Sequence, residues 1–143
     1  MKKIIVLGSN SFSGQDFINL LLDNPNYTVI GMSRSSEKSS LFLSYKQHAS
    51  LSRYRFIQCD MNTHLDVLFD LLDHEKPDYI VNFAAQSEVA PSWVYPDHWF
   101  QTNTVSLAKL VNFLKDKNYL KKYLHISSPE VYGSCTGTVT EDA

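Results

Sequence analysis

The sequence predicts an α/β fold: a doubly wound parallel sheet of about five strands, in the order 3-2-1-4-5, with helices on both faces. Three observations predict it. Short apolar, β-branched runs alternate with segments of helical periodicity along the whole chain. The runs are almost continuously apolar, as strands covered on both faces require. The alternation βαβαβαβαβ calls for right-handed crossovers between parallel neighbours. At 143 residues the chain is one domain, 1-143.

The elements follow in order. The first strand is Ile4 to Leu7, and a helix from Gln15 to Leu22 buries Phe17, Ile18, Leu20 and Leu21 before Asn24-Pro25-Asn26 stops it. Tyr27 to Met32 is the second strand. The Ser-rich stretch Ser33 to Ser52 reads as a loop with a short helix near Leu41 to His48. Tyr54 to Cys59 is the third strand. Leu65, Leu68, Phe69 and Leu72 then follow i, i+3, i+4, i+7 spacing, with Thr63 and Asp66 spaced as a capping box and Pro77 closing the connection. Asp78 to Phe83 is the fourth strand. Trp99, Asn103, Leu107, Leu110, Val111 and Leu114 mark a longer helix from about Pro96 to Lys117, and Lys122 to Ser127 is the fifth strand.

Composition excludes several functions. The content of 43% apolar and 20% charged residues is that of an ordinary globular protein. A net charge of -2 and a pI of about 6.2 give no basic face, so nucleic acid is not an expected partner. No run of about 18 apolar residues exists, so no membrane span is expected. The four apolar residues before Gly8 are too few for a signal-peptide core. Cys59 and Cys135 lack paired spacing and read as free thiols in a reducing cytoplasm. The five histidines show no ligand spacing, so no metal is expected.

The chemistry concentrates at the strand ends. Gly8-Ser9-Asn10-Ser11-Phe12-Ser13-Gly14 lies between the first strand and a helix, the context in which a glycine-rich turn binds a dinucleotide. Backbone N–H groups and the positive end of the helix dipole meet the pyrophosphate there. Ser11 stands where a middle glycine is usual. Either it adopts a strained positive φ, or it keeps ordinary dihedrals and offers its hydroxyl to a phosphate. Asp16 is expected to face solvent. The second strand ends in Ser33-Arg34-Ser35-Ser36, without the carboxylate that would hold a ribose 2′-hydroxyl. Arg34 therefore leans toward NADP over NAD. Asp60 and Met61, after the third strand, suit the adenine amino group and ring, with a loop-capping role as the plain reading of Asp60.

Together these residues resemble the extended short-chain dehydrogenase/reductase (NAD-dependent epimerase/dehydratase) family with its Rossmann-type fold. The resemblance rests on Gly8 to Gly14, Asp60-Met61, Asn82-Phe83-Ala84-Ala85-Gln86-Ser87, Thr102-Asn103 and His125 to Gly133. Within the family it points to nucleotide-sugar 4,6-dehydratases of the dTDP-glucose and GDP-mannose kinds. The resemblance implies a cofactor set of Gly8, Ser11, Phe12, Ser13, Gly14, Ser33, Arg34, Asp60, Met61, Phe83, Ala84, Ala85, Gln86, Asn103 and Ser127. It implies a Ser87 to Ser92 loop touching the sugar, with Ser87 and Ser92 as substrate-binding residues. Ser128 would bond the sugar 4-hydroxyl and Glu130 would remove the C5 proton. Glu88 and Pro91 replace the histidine and basic residue usual in the dTDP-glucose enzymes. Pro129 replaces their acid for the leaving 6-hydroxyl.

The family's Tyr-x-x-x-Lys pair is not found: Tyr132 is followed four residues later by Thr136, Tyr45 by Ala49 and Tyr119 by Tyr123. The resemblance places that pair beyond Gly133, with Thr140-Glu141-Asp142 preceding it. The expectation is an N-terminal NAD(P)-binding portion of a longer cytoplasmic enzyme, inactive by itself and homodimeric when intact. A 4-epimerase or decarboxylase of the same family is the alternative enzyme. A noncatalytic NAD(P)-sensing domain is the alternative of another class.

Overall fold

The five apolar runs form five strands in the computed structural model, which describes residues 1–142. They are β1 (Lys2–Leu7), β2 (Tyr27–Ser33), β3 (Tyr54–Gln58), β4 (Tyr79–Asn82) and β5 (Lys122–His125). All pair in parallel, in the order β3-β2-β1-β4-β5, the predicted 3-2-1-4-5 topology. Leu7 stands beside Met32 on one side and Asn82 on the other, and Asn82 beside His125. The carboxyl ends of these strands therefore finish level with one another.

Side-chain alternation along β1 divides the core into two layers. Ile5 and Leu7 join Ile30, Met32 and Ile80 beneath α2 (Leu65–Glu75) and the later helix α5 (Leu107–Leu114). Ile4 and Val6 join Val29 and Val81 beneath α1 (Phe12–Asp23) and a single 3-10 turn, Ser44–Gln47, which delivers the fully buried Tyr45. The central strands β1, β2 and β4 are thus covered on both faces, which is why they read as near-continuous apolar runs, while the edge strand β5 is largely exposed, Leu124 included.

Several local expectations are corrected. Leu20 is exposed, because it lies about 200° around the helix axis from the buried Ile18. The capping box does not form: α2 begins one residue later, with His64 at its cap, and the Thr63 hydroxyl pairs with His64 Nδ1 at 2.8 Å. The stretch from Ser87 to Ser92 is not wholly a loop, since Val89–Val94 forms α3. Pro91 fits there because a first-turn residue needs no amide hydrogen. The long helix arrives as α4 (Pro96–Phe100), a π-helical stretch Gln101–Ser106, and α5. Among the described residues no helix is long and apolar enough to cross a membrane.

Candidate functional site

The glycine turn is built from backbone. Gly8 has φ +82, and a Cβ there would stand 2.7 Å from Ala84 N and 2.7 Å from the Phe83 carbonyl carbon. No side chain fits, so the turns after β1 and β4 touch through their main chains. Ser11 takes φ -74 and ψ 160, ordinary extended dihedrals. Its hydroxyl accepts from Gly14 N at 3.0 Å and so caps α1. A Cβ on Gly14 would overlap the Gly8 carbonyl oxygen and lie 2.7 Å from Ser11 Oγ. Gln15 N donates to Ser11 O at 3.0 Å. These two bonds leave the amides of Phe12 and Ser13 as the outward donors of the first turn. Asp16 is exposed and accepts from Ser44 Oγ at 3.3 Å, clear of the turn.

The end of β2 is tied to this turn by side chains. Ser33 Oγ accepts from Asn10 N at 3.0 Å and pairs with Ser9 Oγ at 3.2 Å. Asn10 Nδ2 donates to Ser35 Oγ at 3.1 Å and to Ser36 O at 2.9 Å. Lys38 Nζ donates to Asn10 O at 3.0 Å, and Gln58 Nε2 holds Arg34 O at 3.0 Å. Arg34, Ser35 and Lys38 all face one cavity. Asn10 and Lys38 escaped the sequence reading: an asparagine in a turn and a lysine in a polar loop are too common to signal a site.

After β3, Asp60 Oδ1 accepts from Asn62 N at 2.9 Å, and the Asp60 carbonyl takes Thr63 N and His64 N at 3.2 and 2.8 Å. Capping thus occupies one carboxylate oxygen, while Asp60 still lines the cavity beside the buried Met61. The neighbouring Cys59 thiol is pushed up by burial and by the carboxylates of Asp60 and Asp66. After β4, the buried Asn82 organises the turn. Its Oδ1 accepts from Ala84 N at 2.8 Å and its Nδ2 donates to the Tyr123 hydroxyl at 3.0 Å. Asn103 meets Gln86 reciprocally, with Oδ1 on Gln86 N at 2.9 Å and Nδ2 on Gln86 O at 2.8 Å. Asn103 therefore shapes the loop with both ends of its amide. The π-helical turn that carries it also carries Thr102 and Ser106, whose hydroxyls bond the Asn62 amide at 2.9 and 2.8 Å.

These pieces enclose a cavity of about 660 Å3 above the carboxyl ends of the strands, within the usual range for a ligand site. Gly8, Ser11, Ser33, Arg34, Asp60, Met61 and Phe83 to Ser87 all face it. Glu88, Pro91, Tyr95, His98, Trp99 and Thr102 complete the wall. Gly14 stands behind the turn as packing space. Phe12, Ser13, Asn103, Ser92 and Ser127 do not contribute to the wall. Ser92 instead donates its hydroxyl to Val89 O at 2.6 Å within α3. Ser128 and Glu130 are exposed, outside the wall, on the 3-10 turn after β5; the Ser128 hydroxyl donates to the Glu130 carboxylate. Among the described residues, no group of three or more His, Cys, Asp or Glu side chains is placed to hold a metal ion.

A dinucleotide fits this chemistry. The close approach at Gly8 and the N-terminus of α1 are what a pyrophosphate needs. Comparison with known proteins agrees. The family model described as GDP-mannose 4,6 dehydratase matches residues 5–143. The dTDP-D-glucose 4,6-dehydratase of Homo sapiens is 31% identical over 138 residues, 92% of this chain and 37% of its own length. The low-salt glycan biosynthesis protein Agl12 of Haloferax volcanii is 30% identical over 142 residues, 97% of this chain and 44% of its own. The UDP-glucuronic acid 4-epimerase of Bacillus cereus, solved in complex with UDP-glucuronic acid and NAD, superimposes with a TM-score of 0.79 at 30% identity, over 98% of this chain and 44% of that one. The chain thus spans about two fifths of the length of these proteins, and it matches the N-terminal portion of nucleotide-sugar 4,6-dehydratases.

Proposed function

The chain belongs to the GDP-mannose 4,6 dehydratase family, and from that premise we propose that it is the NAD(P)-binding portion of a cytoplasmic, homodimeric nucleotide-sugar 4,6-dehydratase, selective for NADP. The observation that carries the reading is the convergence of the Gly8 turn, the Arg34–Lys38 loop and the Ala84 turn on one cavity. The N-terminus of α1 receives the pyrophosphate at the edge of the cavity, where Gly8 and Ser11 line the wall and the Phe12 and Ser13 amides of the first turn lie just beyond it. Arg34 and Lys38 receive the 2′-phosphate, with the Ser35 hydroxyl beside them. Asp60 and Met61 hold the adenine. Ala84, Ala85 and Gln86 line the nicotinamide half, in a loop that Asn82 and Asn103 hold in shape. The free thiols Cys59 and Cys135 suit a reducing compartment.

When bound, the nicotinamide supplies a two-electron acceptor for oxidation at the sugar C4. This chain supplies groups that would bind the sugar and move a proton at C5, while the Tyr-x-x-x-Lys pair of the family is not among its residues. Ile126 N bonds Asn82 O at 3.0 Å, so the segment after β5 leaves the sheet beside the nicotinamide half of the cavity. Ser128 there holds the 4-hydroxyl and Glu130 takes the C5 proton, which a C4 ketone makes acidic. The C5–C6 double bond would form as the C6 hydroxyl leaves as water, taking up the proton that Glu130 has received, and the hydride removed from C4 would be returned at C6. A 4-epimerase is the second reading, supported by the Bacillus cereus relative and by Pro129 in place of an acid. It needs no base at C5, so Glu130 separates the two.

Calorimetric titration of the chain tests the binding half. NADP should bind more tightly than NAD, and Arg34→Ala should weaken NADP by about 1–3 kcal/mol while sparing NAD. Absence of binding by both dinucleotides would overturn the reading.

A further inference from the structure

The loop after β2 is fastened from two sides, and only one of them belongs to the cavity. On the cavity side Asn10 holds Ser35 Oγ, Ser36 O and the Lys38 amide, the last at 3.4 Å. Between Ser36 and Lys38 lies Glu37, which turns the other way. Its Oε1 accepts from the Tyr45 hydroxyl at 2.9 Å, and its other oxygen pairs with Lys46.

The Tyr45 hydroxyl is itself an anchored group. Tyr45 has no exposed surface and sits on the Ser44–Gln47 turn, which is fixed to α1 through Ser44 N on Gln15 Oε1 at 2.6 Å. The Tyr54 hydroxyl donates to Tyr45 at 2.9 Å, and the two rings are 4.5 Å apart. Tyr54 in turn lies against Gly31 of β2, where a Cβ would collide with its hydroxyl. The chain of bonds ending at Glu37 is therefore rooted in α1, β2 and β3. A buried phenol left without an acceptor is costly, so the position of Glu37 is strongly specified.

We propose that the Glu37–Tyr45 hydrogen bond is a specificity-determining latch, which sets the Arg34–Lys38 loop in the shape that recognises a phosphate monoester on the adenosine ribose. The inference rests on the NADP reading and goes beyond it, because neither residue touches the cofactor. Three consecutive residues alternate between front and back: Ser36 to Asn10, Glu37 to Tyr45, Lys38 to Asn10. With Glu37 held behind, the Lys38 ammonium is kept on the cavity side with two of its three N–H groups beyond the Asn10 bond. Ser35 Oγ accepts from Asn10, so its own proton is available to an anion. Lys46 neutralises the Glu37 carboxylate on the far side, which removes its repulsion of a dianion. A ribose 2′-hydroxyl needs none of this order, so releasing the loop should penalise NADP and leave NAD alone.

The experiment measures the affinity of the 143-residue chain for NADP and for NAD by calorimetry, in the wild type and three variants. Tyr45→Phe and Glu37→Ala should each weaken NADP about tenfold and change NAD less than about twofold. Glu37→Gln keeps an acceptor for Tyr45 and should retain NADP affinity within about threefold. If Tyr45→Phe does not fold, Glu37→Ala, which keeps the phenol and removes only its acceptor, carries the same requirement, with far-ultraviolet circular dichroism checking that the variant is folded. Equal losses for both dinucleotides, or no loss in Glu37→Ala, would overturn the latch while leaving the NADP reading intact. A wild type without preference for NADP would overturn both.

Discussion

The two ends of the sheet are made of the same five strands and are chemically opposite. At the amino end, charges are matched with one another. Glu75 receives Lys3 Nζ and Arg55 Nη2, both at 2.6 Å, and its side chain is only 10% exposed. Asp78 bonds Lys121 Nζ at 2.6 Å and the Lys3 amide at 2.8 Å, while Asp73 takes Lys117 and the Tyr119 hydroxyl. At the carboxyl end, the side chains bond loop backbone, within one turn or across to the next: Ser11 to Gly14 and Asn82 to Ala84 locally, Asn10 to Ser36 and Asn103 to Gln86 between segments. That pattern leaves amides, hydroxyls and two cations facing a cavity. The amino end stabilises the fold through pairs that are complete; the carboxyl end spends its side chains on holding backbone open for a ligand.

In the intact enzyme, Glu130→Gln should cost about 10²–10⁴-fold in dehydration. Oxidation at C4 should survive, so reduced cofactor should accumulate by absorbance and solvent deuterium should no longer enter C5. Dehydration at the wild-type rate would make Glu130 a loop residue. Next, Gly14→Val should drive a side chain into the Gly8 carbonyl and lower dinucleotide affinity at least about 100-fold by calorimetry, with most far-ultraviolet helix signal retained. Unchanged affinity in the folded variant would remove the phosphate-turn reading.

At the amino end the prediction reverses. The Lys3 ammonium and then the Arg55 guanidinium, both bonded to the Glu75 carboxyl, pull it down to about 2. A carboxylate lowered in the folded state stabilises above its ordinary range near 4.5, and that stability is lost as pH falls toward 2. Glu75→Gln should therefore cost about 1–2 kcal/mol at neutral pH in denaturant unfolding, flatten stability between pH 4.5 and 2, and leave dinucleotide affinity unchanged. A change in affinity would break the separation of the two ends. The smallest effect concerns association. Trp93, Val94 and Phe100 are 84%, 65% and 68% exposed on neighbouring helices, so the chain should self-associate weakly in sedimentation. A strict monomer at high concentration would count against a dimer through this face.

The fold was legible because buried strands have a compositional signature that tolerates small errors of boundary. Ile4 to Leu7 and Tyr27 to Met32 read as strands whichever residue begins them. The glycine turn was legible because Gly8 and Gly14 have one steric explanation each, at a strand end and at a helix start. What stayed hidden was long-range polar bonding. Nothing local marks Asn10 as the residue that would bind a loop 25 residues later, or Glu37 as the partner of a buried tyrosine. Asn82 and Asn103 stood in recognisable segments, yet their bonds to Ala84 and Gln86 depend on where loops meet. The α3 helix is not legible because Pro91 reads as a loop residue unless its first-turn position is known, and Leu20 reads as buried because apolar residues cluster on both sides of α1.

The contrast between the two ends can be tested in one experiment. NADP is titrated into the isotopically labelled chain and the backbone amide resonances are followed. The amides of Phe12, Ser13, Arg34, Lys38 and Ala84 should shift in a saturable manner, while those of Lys3, Arg55, Glu75, Asp78 and Lys121 stay in place. Shifts confined to the amino end, or none at saturating NADP, would contradict the account.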